Sequence, residues 1–164
     1  MTRIAVGSAV PGFQLVEVGG SKQSLAHALK KGPVALAFYK VSCPVCQYAL
    51  PFLERIHKAY GSEKVTLWGI SQDDARDTKE FCQEFSLSFP MLLDEEGYPV
   101  SNDYAITNVP TLILVGTDGK ARVSVHGFSK KDTEAVSQQF AAATGKPPAA
   151  VFHPGEDVPD FKPG

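Results

Sequence analysis

Two cysteines, Cys43 and Cys46, stand with two residues between them in the segment FYKVSCPVCQYALPFLERI (38–56). An apolar run precedes them, and apolar residues at helical spacing follow. Pro44 suits the first position of a helix, because its fixed φ matches the helix and its missing N–H would be unpaired there anyway. The free N–H groups and the dipole of such a helix favour a thiolate at Cys43, with a pKa below the free value of about 8.5.

This arrangement predicts thiol-disulfide exchange. Cys46 lies one turn further along the predicted helix, on the same side and within disulfide reach of Cys43. The outer Cys43 would attack a disulfide as the nucleophile, and the inner Cys46 would resolve the mixed disulfide. The expected partners are a disulfide-containing protein or small molecule and an electron donor, with no cofactor.

Two other interpretations of the pair are packing alone and a metal site. A structural zinc needs four ligands, and the remaining candidates form no second paired motif. These candidates are Cys82, His27, His57, His126 and His153. We therefore assign no metal ligand, although a copper site built from a cysteine pair and a distant histidine stays open.

The segments around the pair predict an α/β fold. PVALAFYK (33–40) and KVTLWGI (64–70) read as buried strands, and helices are expected from the cysteine pair to Gly61 and over 74–85. TLILV (111–115) and ARVSV (121–125) should form a hairpin, with Asp118 and Gly119 supplying positive dihedrals in its turn. A closing helix over 130–143 should be opened by Ser129 or Asp132 and should end at Gly145. The cysteines follow the first strand, at the carboxyl end where α/β sheets collect their chemistry.

The two ends of the chain are expected to differ from this pattern. Before the first long strand, an irregular strand or hairpin should lead into a short helix over 25–29. The last segment, 145–164, is rich in proline and glycine and predicts an irregular tail beside a domain of residues 1–144. Phe152 and Phe161 are the side chains expected to pin that tail to the body.

Composition limits the possible partners. The chain has 164 residues and a formal net charge of -2, with basic and acidic residues mixed, so nucleic acid and anionic membranes are not expected as partners. No run reaches the ~18 apolar residues of a membrane span, and the N-terminus lacks the apolar core of a signal peptide. A cytoplasmic monomer is the expectation. A periplasmic or membrane-tethered protein whose leader has been replaced would look the same.

The motifs together resemble the thioredoxin superfamily. The features are SCPVC opening a helix after a buried strand, Pro51 five residues beyond the second cysteine, and NVPT (108–111) before a later strand. VGSAVPGFQL and the long insert before NVPT are similar to the redoxin branch, which includes alkyl hydroperoxide reductase, thiol-specific antioxidant proteins and TlpA-like thioredoxins. The resemblance covers residues 6 to 143.

This resemblance implies a thioredoxin-like fold, with a central mixed sheet flanked by helices. It also implies that Pro110 is a cis-proline facing the cysteines and that Val109 offers its backbone to a substrate peptide. Pro44 and Val45 would complete the substrate-binding surface.

The chain departs from the family at three positions near the pair. Ser42 replaces the usual tryptophan, Ala37 replaces a buried acid, and Ala49 replaces the glutamate of some TlpA-like members. No obvious acid is left to accept the proton of Cys46. Water, Lys40 or a carboxylate elsewhere would have to accept it.

A peroxidase of the alkyl hydroperoxide reductase type is the main alternative function. Such enzymes place Pro seven residues and Thr or Ser three residues before the reactive cysteine. Leu36 and Lys40 stand there before Cys43, and Tyr39 and Cys43 before Cys46. A metal-binding or inactive interaction module is the second alternative.

Other candidate residues receive structural interpretations. Cys82 is expected to pack on the apolar face of its helix. The acidic residues Asp73, Asp74 and Asp77 should lie at a solvated helix start, and DEEG (94–97) should form an exposed turn.

Overall fold

The computed structural model describes residues 3–164, and a seven-stranded mixed sheet flanked by helices forms its centre. The elements are β1 (Gln14–Glu17), β2 (Lys22–Ser24), α1 (Leu25–Leu29), β3 (Val34–Tyr39), α2 (Pro44–Tyr60), β4 (Thr66–Ser71), α3 (Ala75–Phe85), β5 (Met91–Leu93), α4 (Pro99–Asp103), β6 (Thr111–Val115), β7 (Ala121–His126), β8 (Phe128–Ser129), α5 (Lys130–Thr144) and β9 (Phe161–Lys162). The strand order is β2-β1-β5-β4-β3-β6-β7. Strands β3, β4 and β5 run parallel, and the other pairings in this sheet are antiparallel.

Strand β3 lies inside the sheet, and all six of its residues are buried. Val34, Leu36 and Phe38 belong to one apolar core, and the alternating residues belong to the second core, which contains α2. This alternation is the period-two pattern of a strand covered on both faces. The strand therefore delivers its carboxyl end, and the cysteines after it, to one edge of a rigid sheet.

Helix α2 begins and ends where the sequence predicts. Cys43 is its N-cap residue, Pro44 occupies the first turn, and Gly61 is the C-cap. The buried face of the helix includes Ala49, Leu50, Phe52, Leu53, Ile56 and Tyr60. Burial of this apolar stripe fixes the helix against the sheet, so the first turn with both cysteines is held in place.

The later helices follow their predicted caps, but the hairpin turn differs in one respect. Asp74 caps α3 by accepting a hydrogen bond from the Asp77 N–H (2.8 Å), and Ser129 caps α5. In the β6-β7 turn only Gly119 has a positive φ, 77°, so the expectation for Asp118 was wrong. The Asp118 side chain instead accepts from the Lys120 N–H (3.1 Å).

The segment DEEG is only partly exposed, which corrects the expected turn. Asp94 has no exposed surface, and its carboxylate accepts hydrogen bonds from the N–H groups of Val100 (3.0 Å) and Ser101 (2.7 Å). These donors lie in the first turn of α4, a helix that the sequence did not predict. The buried charge is stabilised because both oxygens have backbone donors.

Residues 145–164 lie along the body and are irregular except for β9, which pairs with β8. The Phe152 ring packs against the ring of Phe52, with centroids 4.9 Å apart. Phe152 therefore pins the tail to the body, as the sequence predicts. The Phe161 side chain is 51% exposed, so at that position the backbone pairing makes the contact. Among residues 3–164, no helix has the length and apolar character that a bilayer crossing requires.

Candidate active site

Cys43 sits between the carboxyl end of β3 and the first turn of α2. Its Sγ accepts a hydrogen bond from the Cys46 N–H (3.1 Å), one of the helix N–H groups without a partner inside the helix. The Cys43 thiol also donates to the Val109 carbonyl oxygen at 3.5 Å. The side chain is half-buried, so its sulfur combines a backbone donor suited to a thiolate with access from solvent.

Cys46 occupies a different environment one turn further along α2. Its side chain is fully buried, whereas Cys43 is partly exposed, and both are free thiols. Burial raises the pKa of the Cys46 thiol, and its hydrogen bond with Cys43 raises it further. The backbone N–H of Lys40 has a smaller effect in the opposite direction. Cys46 is therefore a neutral inner thiol behind an accessible outer one.

The loop before β6 faces this pair. The Val109-Pro110 peptide bond is cis, as the thioredoxin resemblance implies. The Thr111 hydroxyl donates to the Asn108 carbonyl (2.7 Å) and therefore accepts from Nδ1 of His126 (3.2 Å). These bonds fix the loop, so the Val109 carbonyl is held beside the Cys43 sulfur.

The other residues expected to bind substrate lie in the first turn of α2. Pro44 is exposed and Val45 is half-buried, so both adjoin the accessible side of Cys43. The binding roles of Pro44, Val45, Val109 and Pro110 stay predictions. A cleft of about 210 Å³ adjoins Val109 and is lined mostly by polar residues, among them Lys40, Gln72 and Asn108.

Two carboxylates of the surrounding segments, Asp73 after β4 and Glu54 on α2, are engaged by other groups. Asp73 accepts from the Val41 N–H (2.9 Å), and the buried Glu54 accepts from the N–H groups of Ser88 (2.8 Å) and Phe89 (3.2 Å). Ala37 leaves no acid at the usual thioredoxin position. The structure thus supplies no dedicated carboxylate partner for the Cys46 thiol among residues 3–164.

Tyr39 is a residue near the site that the sequence reasoning missed. Within the described chain, its hydroxyl is the one buried side-chain oxygen or nitrogen without a hydrogen-bond partner. Burial raises its pKa and the nearby Cys82, Asp73 and Cys46 raise it further, while the Ser71 hydroxyl, which lies nearby without making a full hydrogen bond, lowers it by less. The signal was available, because Tyr39 shares the strand face of Ala37 and so points to the same side of the sheet as α2.

Cys82 lies on α3 and packs half-buried at the edge of the core around α2. Burial, together with the negative charge of Glu54, raises its pKa to about 11. A thiol with that pKa is a weak nucleophile near neutral pH. The geometry agrees with the packing role.

Candidate metal ligands do not converge in the described part of the chain. No three His, Cys, Asp or Glu side chains of residues 3–164 are grouped so that they could hold an ion. His126, one of the histidines considered, is hydrogen-bonded to Thr111.

The sheet, the helix-capping cysteine and the facing cis-proline loop define a thioredoxin-like oxidoreductase. Residues 6–124 match the AhpC/TSA family, so the chain belongs to that family. Membership confirms the redoxin branch that the sequence motifs indicated.

Individual relatives agree with this assignment. The chain is 27% identical over 132 residues to thiol-disulfide oxidoreductase ResA of Geobacillus thermodenitrificans. The aligned region covers 80% of this chain and 75% of that protein. The thioredoxin domain of a thiol-disulfide oxidoreductase from Bacteroides vulgatus superposes with a TM-score of 0.72 at 24% identity, covering 84% of this chain and 98% of that one. The peroxidoxin BcpB of Mycobacterium tuberculosis superposes with a TM-score of 0.69 at 22% identity, covering 87% and 97%. The two structural matches show a thioredoxin-like fold that both kinds of protein share.

Proposed function

We propose that this protein exchanges disulfides with protein or small-molecule substrates through the Cys43/Cys46 dithiol. The observation that carries the proposal is the pairing of a partly exposed Cys43, whose sulfur accepts a hydrogen bond from the Cys46 N–H, with a fully buried Cys46 thiol behind it. Relatives named thiol-disulfide oxidoreductases support the same activity.

The first step is attack by the Cys43 thiolate on a substrate disulfide. A bond forms between Cys43 Sγ and one substrate sulfur, the substrate S–S bond breaks, and the other sulfur leaves as a thiolate. The Cys46 N–H, which already points at Cys43 Sγ, stabilises the negative charge before attack. The adjacent Val109 backbone would orient the substrate chain.

The second step releases the substrate and oxidises the enzyme. Cys46 loses its proton and attacks Cys43 Sγ, so that the second substrate thiol leaves and a Cys43-Cys46 disulfide forms. Two electrons pass from the enzyme dithiol to the substrate, and a dithiol donor must restore them. Since Ala37 and Ala49 cannot accept the proton, solvent is the acceptor that we propose.

Peroxide reduction is the second candidate, because the family includes peroxidases and one structural neighbour is named a peroxidoxin. The residues before Cys43 argue against it. Leu36 is fully buried in the core on the other side of β3, and Lys40 is exposed. Neither residue can supply the hydroxyl that would polarise a peroxide at Cys43.

The test compares two substrates under one donor. With dithiothreitol as donor, the wild type should turn over the symmetric disulfide of thionitrobenzoate or oxidised glutathione faster than the uncatalysed exchange, and Cys43→Ser should abolish this gain. With hydrogen peroxide, consumption should be slow. Fast peroxide consumption without disulfide turnover would replace the exchange proposal by a peroxidase.

A further inference from the structure

The tail segment 161–164 lies against the same carbonyl group as the reactive sulfur. The Val109 carbonyl oxygen accepts from Cys43 Sγ, and the backbone of Gly164 packs directly on this carbonyl. The preceding residues form β9, which pairs with β8 through the registers Phe128 with Lys162 and Ser129 with Phe161. A stretch of this chain thus runs in extended conformation up to the candidate active site.

This contact is made between backbones, and glycine stands at two of its positions, Gly127 and Gly164. A Cβ atom at Gly127 would overlap the Lys162 carbonyl oxygen and come within 3.0 Å of the Gly164 nitrogen. A Cβ atom at Gly164 would overlap the Val109 carbonyl oxygen. Glycine at such places allows another chain to approach closely. The surface formed by Val109 and Gly127 is therefore shaped for an extended polypeptide.

Two side-chain anchors hold the tail upstream of segment 161–164, and the pairing of β9 with β8 holds the segment itself. Phe152 packs on Phe52, and Glu156 forms two hydrogen bonds of 2.8 Å with Arg55. Beyond these anchors the Phe161 side chain is 51% exposed. The Lys162 ammonium lies 4.9 Å from the centroid of the Tyr48 ring. Movement of segment 161–164 would break the β8-β9 pairing and the Lys162 contact, but not the contacts of Phe152 and Glu156, which lie outside the segment.

We infer that segment 161–164 occupies the docking place of an extended polypeptide substrate and must move before such a substrate reaches Cys43. This inference rests on the proposed exchange activity and names its substrate class. A small disulfide does not need the tail to move, because Cys43 is partly exposed with the tail in place.

The experiment compares two substrates with the same leaving group. One is the symmetric disulfide of thionitrobenzoate, and the other is a synthetic extended peptide whose single cysteine forms a mixed disulfide with thionitrobenzoate. The fully reduced enzyme is mixed with each, and the first release of thionitrobenzoate is followed. The variants are a chain that stops after Asp160 and the full-length Gly164→Leu. The control is Gly19→Leu, because a Cβ at Gly19 meets no atom within 4 Å.

Both tail variants should react with the peptide at least about fivefold faster than the wild type, because the docking place is free of the tail in a larger fraction of the molecules. Their rates with the small disulfide, and all rates of Gly19→Leu, should stay within about twofold of the wild type, because Cys43 access is unchanged. Added peptide VPDFKPG should slow the shortened chain toward the peptide substrate. Equal accelerations for both substrates, or none, would overturn the inference while leaving exchange intact. A wild type that releases thionitrobenzoate from neither substrate would overturn the proposed function and this inference with it.

Discussion

The pH dependence of the resolving step follows directly from the burial of Cys46. Burial, the largest cause, raises the pKa of this thiol above its ordinary value of 9.0, and this cause does not depend on the Cys43 thiol, which is consumed when the mixed disulfide forms. Below that pKa, the thiolate fraction grows about tenfold for each pH unit, and the rate of attack grows with it. Resolution of the mixed disulfide should therefore accelerate about a hundredfold between about pH 6.5 and about pH 8.5.

Rapid mixing of reduced enzyme with excess symmetric disulfide of thionitrobenzoate separates the two steps. Attack by Cys43 releases the first thionitrobenzoate, and attack by Cys46 on the mixed disulfide releases the second. The rate of the second phase is measured at each pH, at constant ionic strength. Cys46→Ser serves as the control, because it should release one equivalent only.

The reasoning fails if the second phase levels off below about pH 8, because a plateau there would mean that Cys46 is a thiolate near neutral pH. In that case a base that accepts the Cys46 proton must lie within the protein. A second phase of full size in Cys46→Ser that disappears in Cys46→Ser/Cys82→Ser would show that Cys82, and not Cys46, supplies the second thiol.

Three further predictions concern stability, each measured by urea unfolding. Glu54→Ala removes the carboxylate that accepts from Ser88 and Phe89, and should lower the free energy of unfolding by about 3 kcal/mol. Asp94→Asn sets a side-chain N–H against a backbone N–H at the start of α4, and should cost about 2 kcal/mol. Glu156→Gln should destabilise at neutral pH but not in strong acid. The Arg55 hydrogen bonds lower the pKa of Glu156 from 4.5 to about 2. They therefore stabilise the folded protein above pH 4.5, and this stabilisation is lost as the pH falls toward 2.

Exposed acidic residues provide the matched controls. Glu84→Ala, Glu95→Gln and Asp157→Asn should each change the free energy of unfolding by less than about 0.5 kcal/mol. A loss at Glu54 or Asp94 no larger than in these controls would contradict the assigned hydrogen bonds. For Glu156, a difference from wild type that persists unchanged in acid would contradict the ion pair with Arg55.

Local signals in the sequence were enough to place the cysteine pair and most helices. Pro44 and Gly61 mark the ends of α2, and Ser129 and Gly145 mark those of α5, because caps satisfy backbone groups within a few residues. The strand before the pair was visible as an apolar run. The placement of Cys43 at the N-terminus of a helix therefore followed from the chain itself.

The features that the sequence did not reveal depend on contacts between distant residues. Asp94 stands in DEEG, whose composition is that of an exposed turn, and it is buried because α4 turns its N–H groups toward it. The contact of Gly164 with Val109 joins residues far apart in the chain. Nothing in the local pattern of prolines and glycines reports where a tail docks, because docking is decided by the surface that receives it.

Trapping the mixed disulfide tests the central claim most directly. Reduced Cys46→Ser is incubated with the thionitrobenzoate-linked peptide, and the product is digested and analysed by mass spectrometry without reduction. The account predicts one peptide adduct per chain, on Cys43, whereas the wild type passes on to an internal Cys43-Cys46 disulfide. The absence of an adduct, or an adduct on Cys82 in place of Cys43, would contradict it.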